Sequence, residues 1–301
     1  MDLRQMEYVI AINEEKSITR AAEKLFLTQS ALNQQLQKLE SELGTPLFIR
    51  TRSAWQPTEA GVVFLQAAET ILAVKKDACS RIQDMADASR RTICLGLIPE
   101  RGVDMFTSIY PEFHRRFPHV LIEPRECNVR TMQKLITKGE IHMGLITLTE
   151  NQKDDNTYLH MAREEIFLAI PRRHPLAHLG SPSPQTAPDI SLEQFAQDYF
   201  IQIAQSSTMY QLVEQLFDEA GFSPKVLFYT SSNVSKYRMV CAGVGCALLP
   251  AVFAHPDPAV VFFRLERHPF WEVTMCCRKG AYLSKAEKEF LELCRQYWKK
   301  E

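Results

Sequence analysis

Apolar residues recur at helical spacing in three stretches near the N-terminus. Leu3 to Ile12 carries the apolar stripe of a first helix. A short alanine-rich helix follows, for which Ser17 or Thr19 is the predicted N-cap. Thr28 is the predicted cap of a third helix, and Gly44 its predicted end, because glycine tolerates the left-handed backbone that closes many helices. The apolar residues of this third helix that we expect to face inward are Ala31, Leu32, Leu36, Leu39 and Leu43.

A basic segment follows these helices. Residues 45–57 alternate apolar and basic side chains, which suits a two-stranded wing. Two short helices with a tight break, followed by a basic wing, are typical of proteins that bind DNA in the major groove. Residues 16–58 hold six Lys or Arg and three Glu, a net charge of +3, whereas the whole chain has 35 Lys and Arg and 36 Asp and Glu. This small excess of positive charge predicts that a few individual side chains contact phosphates, and not that the whole surface of the protein is basic.

A long helix is predicted from about Thr58 to Ala88. Its apolar residues recur at intervals of three and four, close to a heptad seam: Ala60, Phe64, Ala67, Ile71, Val74, Ala78, Ile82 and Met85. We interpret the seam as a dimerisation surface. The alternative is that this helix packs on its own domain.

After residue 91 the pattern changes to alternating strands and helices, which predicts α/β structure. Predicted strands and helices group into two subdomains, and the chain crosses between them near 162–165 and 265–269. Residues 180–188, rich in Ser and Pro, are predicted to form a flexible surface loop. The predicted domains are 1–58, 59–89 and 90–301, the last divided into about 92–162 plus 268–301 and about 163–267.

Composition narrows the function classes. With 46% hydrophobic and 24% charged residues, the chain lies in the ordinary globular range. The first nine residues are too polar for a signal peptide and no apolar run reaches the length of a membrane span, so we expect a cytoplasmic protein without membrane contact. Eight cysteines occur without a CxxC pair, which favours reduced, buried thiols, with a redox switch as the alternative.

No enzyme motif is present. The chain lacks GxSxG, a Walker glycine loop and HExxH. His174 and His178 are four residues apart, but Pro175 interrupts the helix that would align them on a metal. We therefore expect no catalytic residue, no metal site and no cofactor.

The N-terminal residues strongly resemble those of the LysR-type transcriptional regulators. The matching motifs are Ala21-Ala22, Thr28-Gln29, Leu39-Glu40, Leu43-Gly44, Leu47-Phe48, Arg50 with Arg52, and Thr58-Glu59-Ala60-Gly61. Looser matches, such as Phe117-Pro118 and Ala242-Gly243-Val244-Gly245, extend the resemblance over essentially the whole chain. The resemblance implies an N-terminal all-α winged helix-turn-helix, a linker helix and a two-subdomain effector module like the periplasmic binding proteins.

The resemblance also implies partners. It predicts a homotetramer built as a dimer of dimers, which binds an imperfect palindrome of double-stranded DNA with a T, eleven unspecified bases and an A. RNA polymerase is a candidate further partner. Family habit predicts control of a neighbouring divergent gene and of the protein's own promoter.

Three positions depart from the family pattern. Ser30 stands where proline is usual and Asn33 where serine is common, so the operator sequence does not carry over from a relative. His142 replaces a usual aspartate, and we interpret it as a buried structural histidine.

DNA contacts are predicted at the start of the third helix and on the wing. Asn and Gln side chains can bind adenine edges, Ser and Thr can bind bases or phosphate, and Arg and Lys favour phosphate. Arg50 and Arg52 are expected at phosphate or in the minor groove, and Lys38 is either a phosphate contact or part of a solvated helix face. The predicted DNA-binding residues are Thr28, Gln29, Ser30, Asn33, Gln34, Lys38, Arg50 and Arg52.

An effector cleft is predicted between the subdomains, because ligands of open α/β sheets bind beyond the carboxyl ends of strands. Hydroxyls and N–H groups at helix starts suit a carboxylate, so we expect a small organic acid, with Arg101 adding charge or Glu100 binding ligand hydroxyls. The alternative for Ser206 to Thr208 is helix capping, which is compatible with anion binding. The predicted effector-binding residues are Pro99, Glu100, Arg101, Asn128, Val129, Thr131, Thr147, Gln205, Ser206, Ser207, Thr208, Ser232 and Asn233, with Ser231 beside them.

The function predicted from these features is a DNA-binding regulator controlled by a small acid in the cleft. The first alternative is a cysteine-based redox-responsive regulator on the same scaffold, although residues 199–210 contain no cysteine. The second is a constitutive architectural DNA binder with a vestigial cleft.

Overall fold

The fold was analysed in a computed structural model that describes residues 1–50, 55–85 and 91–299. The chain divides into two compact units, Met1–Ala88 and Ser89–Glu301. Each unit has its own hydrophobic core.

The first unit contains the helices and wing that the sequence predicts. Its elements are α1 (Leu3–Glu15), α2 (Ile18–Lys24), α3 (Gln29–Leu43), β1 (Phe48–Arg50), β2 (Trp55–Pro57) and α4 (Glu59–Met85). Ser17 caps α2 and Thr28 caps α3, each through a side-chain oxygen, and Gly44 ends α3 with a φ of 71°. The expectation that Leu43 faces inward is wrong, since it is 42% exposed at the last turn of α3.

The wing is fixed to the helices by Glu40 and Gly61. Oε1 of Glu40 accepts hydrogen bonds from the backbone N–H groups of Leu47 and Phe48. A Cβ at Gly61 would lie 2.0 Å from the carbonyl oxygen of Leu47, so α4 crosses this segment at a distance that only glycine allows. Thr58 Oγ1 donates to the carbonyl of Pro46 and accepts from Gly61 N–H, which anchors the start of α4.

Helix α4 presents two faces. Leu65, Ala68 and Ala73 are buried within the first unit. Of the predicted seam, Ala60 and Phe64 pack against the core of the first unit, as the alternative expected, whereas Ile71, Val74 and Ile82 are 39%, 56% and 65% exposed. The helix is described as far as Met85, and residues 86–88 of the predicted helix lie outside the described residues.

The second unit is α/β, as predicted. An eight-stranded mixed sheet has the order β4-β3-β5-β12-β6-β11-β7, with β10 also paired to β6, and β8 and β9 form a separate parallel pair. The strands are β3 (Arg91–Leu97), β4 (Val120–Glu126), β5 (Met143–Leu148), β6 (Thr157–Pro171), β7 (Asp189–Ile190), β8 (Tyr199–Ile203), β9 (Lys225–Thr230), β10 (Ala247–Pro250), β11 (Val260–Leu265) and β12 (Phe270–Cys277). The helices are α5 (Arg101–Arg116), α6 (Val129–Thr137), α7 (Thr208–Glu219), α8 (Asn233–Cys241) and α9 (Lys285–Trp298).

Two lobes meet along strand β6. The first lobe comprises β3, β4, β5, β12, α5, α6 and α9, and the second comprises β7 to β11, α7 and α8. The first part of β6 pairs with β12 and its last part with β10 and β11, so one strand runs through both lobes. Parallel β3, β4 and β5 point their carboxyl ends toward the second lobe's helices α7 and α8, where the predicted cleft residues lie.

The segment 180–188 is not the flexible surface loop that its composition suggested. Ser181 is buried and pairs through its backbone with Phe262 of β11. Pro184 and Ala187 are also buried, and residues Pro184–Thr186 form a 3₁₀ turn. Backbone pairing to β11, which the local composition does not encode, orders this segment.

Candidate functional site

The starts of four helices meet at one cavity between the two lobes. Helix α5 begins at Arg101, α6 at Val129, α7 at Thr208 and α8 at Asn233, and all four residues line the cavity. Helix N-termini carry partial positive charge and unpaired N–H groups, so their convergence favours anionic or acceptor groups. The cavity measures about 140 Å³. An engineered cavity of ~150 Å³ holds one benzene, so the space suits a molecule of that scale. We call it the cleft cavity.

Most of the predicted effector residues meet in this cavity. The lining includes Pro99, Glu100, Arg101, Asn128, Val129, Thr147, Ser206, Ser207, Thr208, Ser231 and Asn233. Three predicted residues are not brought into it: Thr131 and Gln205 are exposed to solvent, and Ser232 contacts Glu100 instead.

Six lining residues were missed by the sequence reasoning: Ile98, Glu164, Ile203, Ala204, Phe253 and Trp271. Ile98, Ile203 and Ala204 flank predicted residues at strand ends, so widening each predicted segment by a residue or two would have included them. Glu164, Phe253 and Trp271 come from the lobe crossings and from the turn after β10, and they carry no local signal for a cleft.

A buried ion pair forms one wall of the cavity. Arg101 Nε and Nη2 both lie 2.9 Å from Oε1 of Glu164, and Trp271 Nε1 donates to Oε2 of Glu164 at 2.9 Å. The Arg101 guanidinium lies 4.1 Å from the ring centroid of Trp298. Arg101 therefore lines the cavity, but Glu164 balances its positive charge.

Hydroxyl and amide groups cap the helices at the cavity. Asn128 Oδ1 accepts from the N–H of Thr131 at 2.9 Å, and Ser207 Oγ accepts from the N–H of Met209 at 3.2 Å. Thr208 Oγ1 donates to the carbonyl of Thr147 at 2.8 Å, a buried hydrogen bond that joins the lobes. The Ser207 hydroxyl can cap α7 and still donate its proton to a ligand.

Glu100 makes a second bridge between the lobes. Its backbone has a φ of 62°, a conformation that residues with a Cβ rarely adopt. Its Oε1 accepts from Ser232 Oγ at 2.6 Å and from the N–H of Val234 at 3.4 Å, at the start of α8. A carboxylate of the chain itself thus neutralises the positive end of α8.

The predicted DNA-binding residues of the third helix share one accessible surface. Thr28, Gln29, Ser30, Gln34 and Lys38 are exposed and Asn33 is partly exposed. Gln29, Ser30 and Asn33 line a groove with Ser17, Ile18, Thr19 and Trp55. Thr19 Oγ1 donates to Gln29 Oε1 at 3.2 Å. Arg50 lies in β1, but its side chain, like the whole of Arg52, lies outside what the structure describes.

The thiols of the second unit are mostly buried. Burial raises the pKa of Cys246 to about 12, and burial also raises the pKa of Cys276, Cys277 and Cys294. Burial raises the pKa of Cys127 and Cys241 as well. A raised pKa depletes the reactive thiolate at neutral pH.

The histidines singled out in the sequence have protein partners. His174 Nε2 lies 3.0 Å from Asp198 Oδ1 and its Nδ1 accepts from the N–H of Leu176, while His178 Nδ1 contacts the carbonyl of Pro175. His142 is partly buried, and its Nδ1 accepts from the N–H of Cys94. Within the described part of the chain, no group of three metal-ligating side chains is found and no helix is long and apolar enough to cross a membrane.

Comparison with known proteins gives matches along nearly the whole chain. The family model for bacterial regulatory helix-turn-helix proteins of the lysR family matches residues 3–62, and that for the LysR substrate binding domain matches residues 86–299. The transcriptional regulator BudR of Raoultella terrigena is 31% identical over 83% of this chain and 84% of its own length.

Solved structures show the same fold. A variant of full-length OxyR from Pseudomonas aeruginosa aligns with a TM-score of 0.67 at 22% identity and covers 98% of both chains. The effector binding domain of QuiR in complex with shikimate aligns with a TM-score of 0.57 at 20% identity, over 70% of this chain and 98% of that one.

Proposed function

This chain belongs to the LysR family of bacterial transcriptional regulators, and we propose that a small organic acid in the cleft cavity controls its action on DNA. It is a DNA-binding regulator with a substrate-binding domain. Its relatives carry the names of regulators, which supports regulation rather than catalysis as its role. A role at DNA supports a cytoplasmic location.

The first unit would bind the operator through the start of α3. Gln29, Ser30 and Asn33 lie together on an exposed face, and amides and hydroxyls are suited to reading base edges. Thr28, Gln34 and Lys38, with Arg50 and Arg52 of the wing, complete the proposed contacts. A symmetric pair of such units requires two symmetric half-sites, in keeping with a palindromic operator.

Self-association is proposed along α4. The exposed apolar residues Ile71, Val74 and Ile82 lie on one face of α4 that the first unit leaves open. Burial of this face against a second copy would form a dimer. Pairing of two dimers would give the tetramer that the family resemblance implies.

The observation that carries the effector proposal is the convergence of four helix starts on a cavity between two lobes. We propose that the effector carboxylate binds at the start of α7, where Ser206 is exposed and Ser207 has a hydroxyl proton to donate. A ligand acts only through a difference in affinity between two states of the protein. Thr208 and Glu100 bridge the lobes by hydrogen bonds in this structure, and the proposed second state is one in which a bound ligand has altered these bridges.

Substitution Ser207→Phe tests this proposal in the full-length protein. The phenyl ring would fill the cavity at the start of α7, so stabilisation by any effector acid should be lost while operator binding is retained. The matched control is Thr131→Phe, because Thr131 is an exposed residue near the start of α6 that does not line the cavity. In the wild type and in the control, an acid at a hundredfold excess over its Kd should raise stability by about 2.7 kcal/mol. Loss of operator binding in Ser207→Phe, or an undiminished response to the acid, would contradict the assignment.

The redox alternative is less well supported by the chemistry of the thiols. Burial raises the pKa of six cysteines, including Cys127 and Cys246, and the segment 199–210 next to the cavity has none. Mild peroxide treatment followed by an operator-binding assay separates the two readings. Unchanged affinity is expected, and a reversible change restored by dithiothreitol would favour redox control.

A further inference from the structure

The cleft cavity contains hydrogen-bond acceptors that the protein does not fully satisfy. Asn233 is 9% exposed and lines the cavity, and its buried Oδ1 accepts no hydrogen bond from the described residues. Glu100 is partly buried, and both of its described hydrogen bonds go to Oε1, so its Oε2 is available to a ligand. Buried polar atoms are rarely left unpaired, and an exception in a cavity points to a missing partner.

The donors of the Arg101 wall are already engaged. Arg101 and Trp271 direct their N–H groups at Glu164, so this wall offers a ligand a neutralised ion pair. Among the residues that the structure describes, three charged side chains line the cavity, namely Glu100, Arg101 and Glu164. Once Arg101 and Glu164 are paired, the net charge of the lining is that of the Glu100 carboxylate.

The position of Glu100 is costly to the local backbone, which favours a role in the site. A φ of 62° at a residue with a Cβ is sparsely populated, and such residues concentrate at ligand sites and switches. Glycine would adopt this conformation without strain. The Glu100 carboxylate therefore lies at the N-terminal end of α8, and the backbone strain at Glu100 is a cost that capping a helix does not require.

We propose that Glu100, with Asn233, is the specificity determinant of the cleft cavity, which selects monocarboxylates that carry a hydroxyl or ammonium group and rejects dicarboxylates. The proposal rests on the proposed function, since the effector carboxylate is assigned to the start of α7. The far end of the molecule then meets Asn233 Oδ1, a buried acceptor that lacks a donor, and Glu100 Oε2, a charged acceptor that favours one. A second carboxylate in that place would face the Glu100 charge at close range and would be repelled.

The test uses two series of acids that differ only in the far group. The first series is butyrate, γ-hydroxybutyrate, γ-aminobutyrate and succinate. The second is benzoate, meta-hydroxybenzoate, meta-aminomethylbenzoate and isophthalate. Each is titrated calorimetrically, at neutral pH and constant ionic strength with thiols reduced, into full-length wild type, Glu100→Gln and the control Glu140→Gln. Glu140 is an exposed glutamate of the same unit outside the cavity, so its replacement makes the same change in net charge.

In the wild type and the control, the hydroxyl or ammonium member of at least one series should bind about tenfold to a hundredfold more tightly than its methyl or unsubstituted counterpart. This is the range expected for a hydrogen bond to a charged group. The dicarboxylate should bind most weakly. In Glu100→Gln the dicarboxylate should gain at least tenfold relative to the ammonium member. A second variant, Glu100→Gly, relieves the backbone strain and should show the same change in preference if the glutamine variant folds poorly.

The other outcomes count against the proposal in different ways. If an acid binds but the order of affinities is the same in Glu100→Gln as in the wild type, Glu100 is only a bridge between the lobes and the specificity role is wrong. Tightest binding of succinate or isophthalate by the wild type would also overturn it, while leaving the carboxylate effector in place. If none of the eight acids binds any variant, the proposed carboxylate effector fails together with the inference built on it.

Discussion

Replacing Glu164 with glutamine removes the carboxylate that holds Arg101 and Trp271 at the wall of the cleft cavity. The side chains of Arg101 and Glu164 are 8% and 6% exposed, so the pair is shielded from water. Removal of one partner from a buried ion pair costs about 3–5 kcal/mol, because the remaining charge loses its compensation. For a domain of this size, about 1 kcal/mol lowers the Tm by roughly 2–4 °C. We therefore expect the Tm of the second unit to fall by about 6–20 °C.

The adjacent substitution Glu165→Gln is the matched control. Glu165 is on the same strand, its side chain is 23% exposed, and it contacts His268 and Arg264 near the surface. Such pairs contribute about 0–1 kcal/mol, so the Tm should change by a few degrees at most. Differential scanning calorimetry of the full-length proteins measures both. An equal effect of the two substitutions would refute the reasoning that the Arg101–Glu164 pair is buried and coupled.

A double substitution separates charge from packing. Arg101→Met combined with Glu164→Leu removes both charges and keeps the volume apolar, so much of the loss seen in Glu164→Gln should be recovered. A double variant as unstable as the sum of its single variants would mean that the two residues are not coupled.

Three further predictions concern other parts of the molecule. Alanine normally stabilises a helix relative to glycine, but at Gly61 the new Cβ would lie 2.0 Å from the Leu47 carbonyl oxygen. Gly61→Ala should therefore destabilise the first unit and abolish operator binding. Thermal unfolding measures the first effect and a gel-shift assay the second. Burial lowers the pKa of Lys236 to about 7, so the unfolded chain binds the extra proton between that pKa and the ordinary 10.5, and stability rises with pH in this window. Urea unfolding should therefore show that any advantage of Lys236→Met over the wild type shrinks by about 2–3 kcal/mol between about pH 7 and pH 9. A constant difference would contradict the lowered pKa of the buried lysine. Val74→Glu should dissociate the dimer in analytical ultracentrifugation without lowering the Tm of the first unit, because Val74 is 56% exposed within it.

The elements with a local signal could be predicted from the sequence. Thr28 and Gly44 mark the ends of α3 through cap chemistry that depends on a few neighbouring residues, and both were confirmed. The apolar run from Glu165 to Pro171 predicts a strand there, but this strand is too short, because β6 starts at Thr157 and its first half pairs with β12. Strand β11 was missed altogether, since its position depends on pairing with β6 rather than on a flanking turn signal.

Among the cleft residues, too, those with a local sequence signal could be predicted and those placed by distant contacts could not. Those at the ends of strands and the starts of helices, such as Pro99 and Ser207, follow from the topology of α/β sheets. The partner of Arg101 could not be predicted, because Glu164 lies 63 positions away and reaches it through the lobe crossing. This partner alters the electrostatics of the site, because it balances Arg101 and leaves the Glu100 carboxylate at the start of α8 as the net side-chain charge of the described lining.

The most direct test of the account measures how the protein and DNA respond to an acid. The full-length protein is bound to DNA from upstream of its own gene, and the electrophoretic mobility and affinity of the complex are compared with and without an acid from the two series that stabilises the second unit. We expect the acid to change the wild-type and Thr131→Phe complexes but to leave the Ser207→Phe protein bound and unresponsive. An acid that stabilises the second unit yet leaves the wild-type complex unchanged, or that changes the Ser207→Phe complex equally, would contradict control of DNA binding through the cleft cavity.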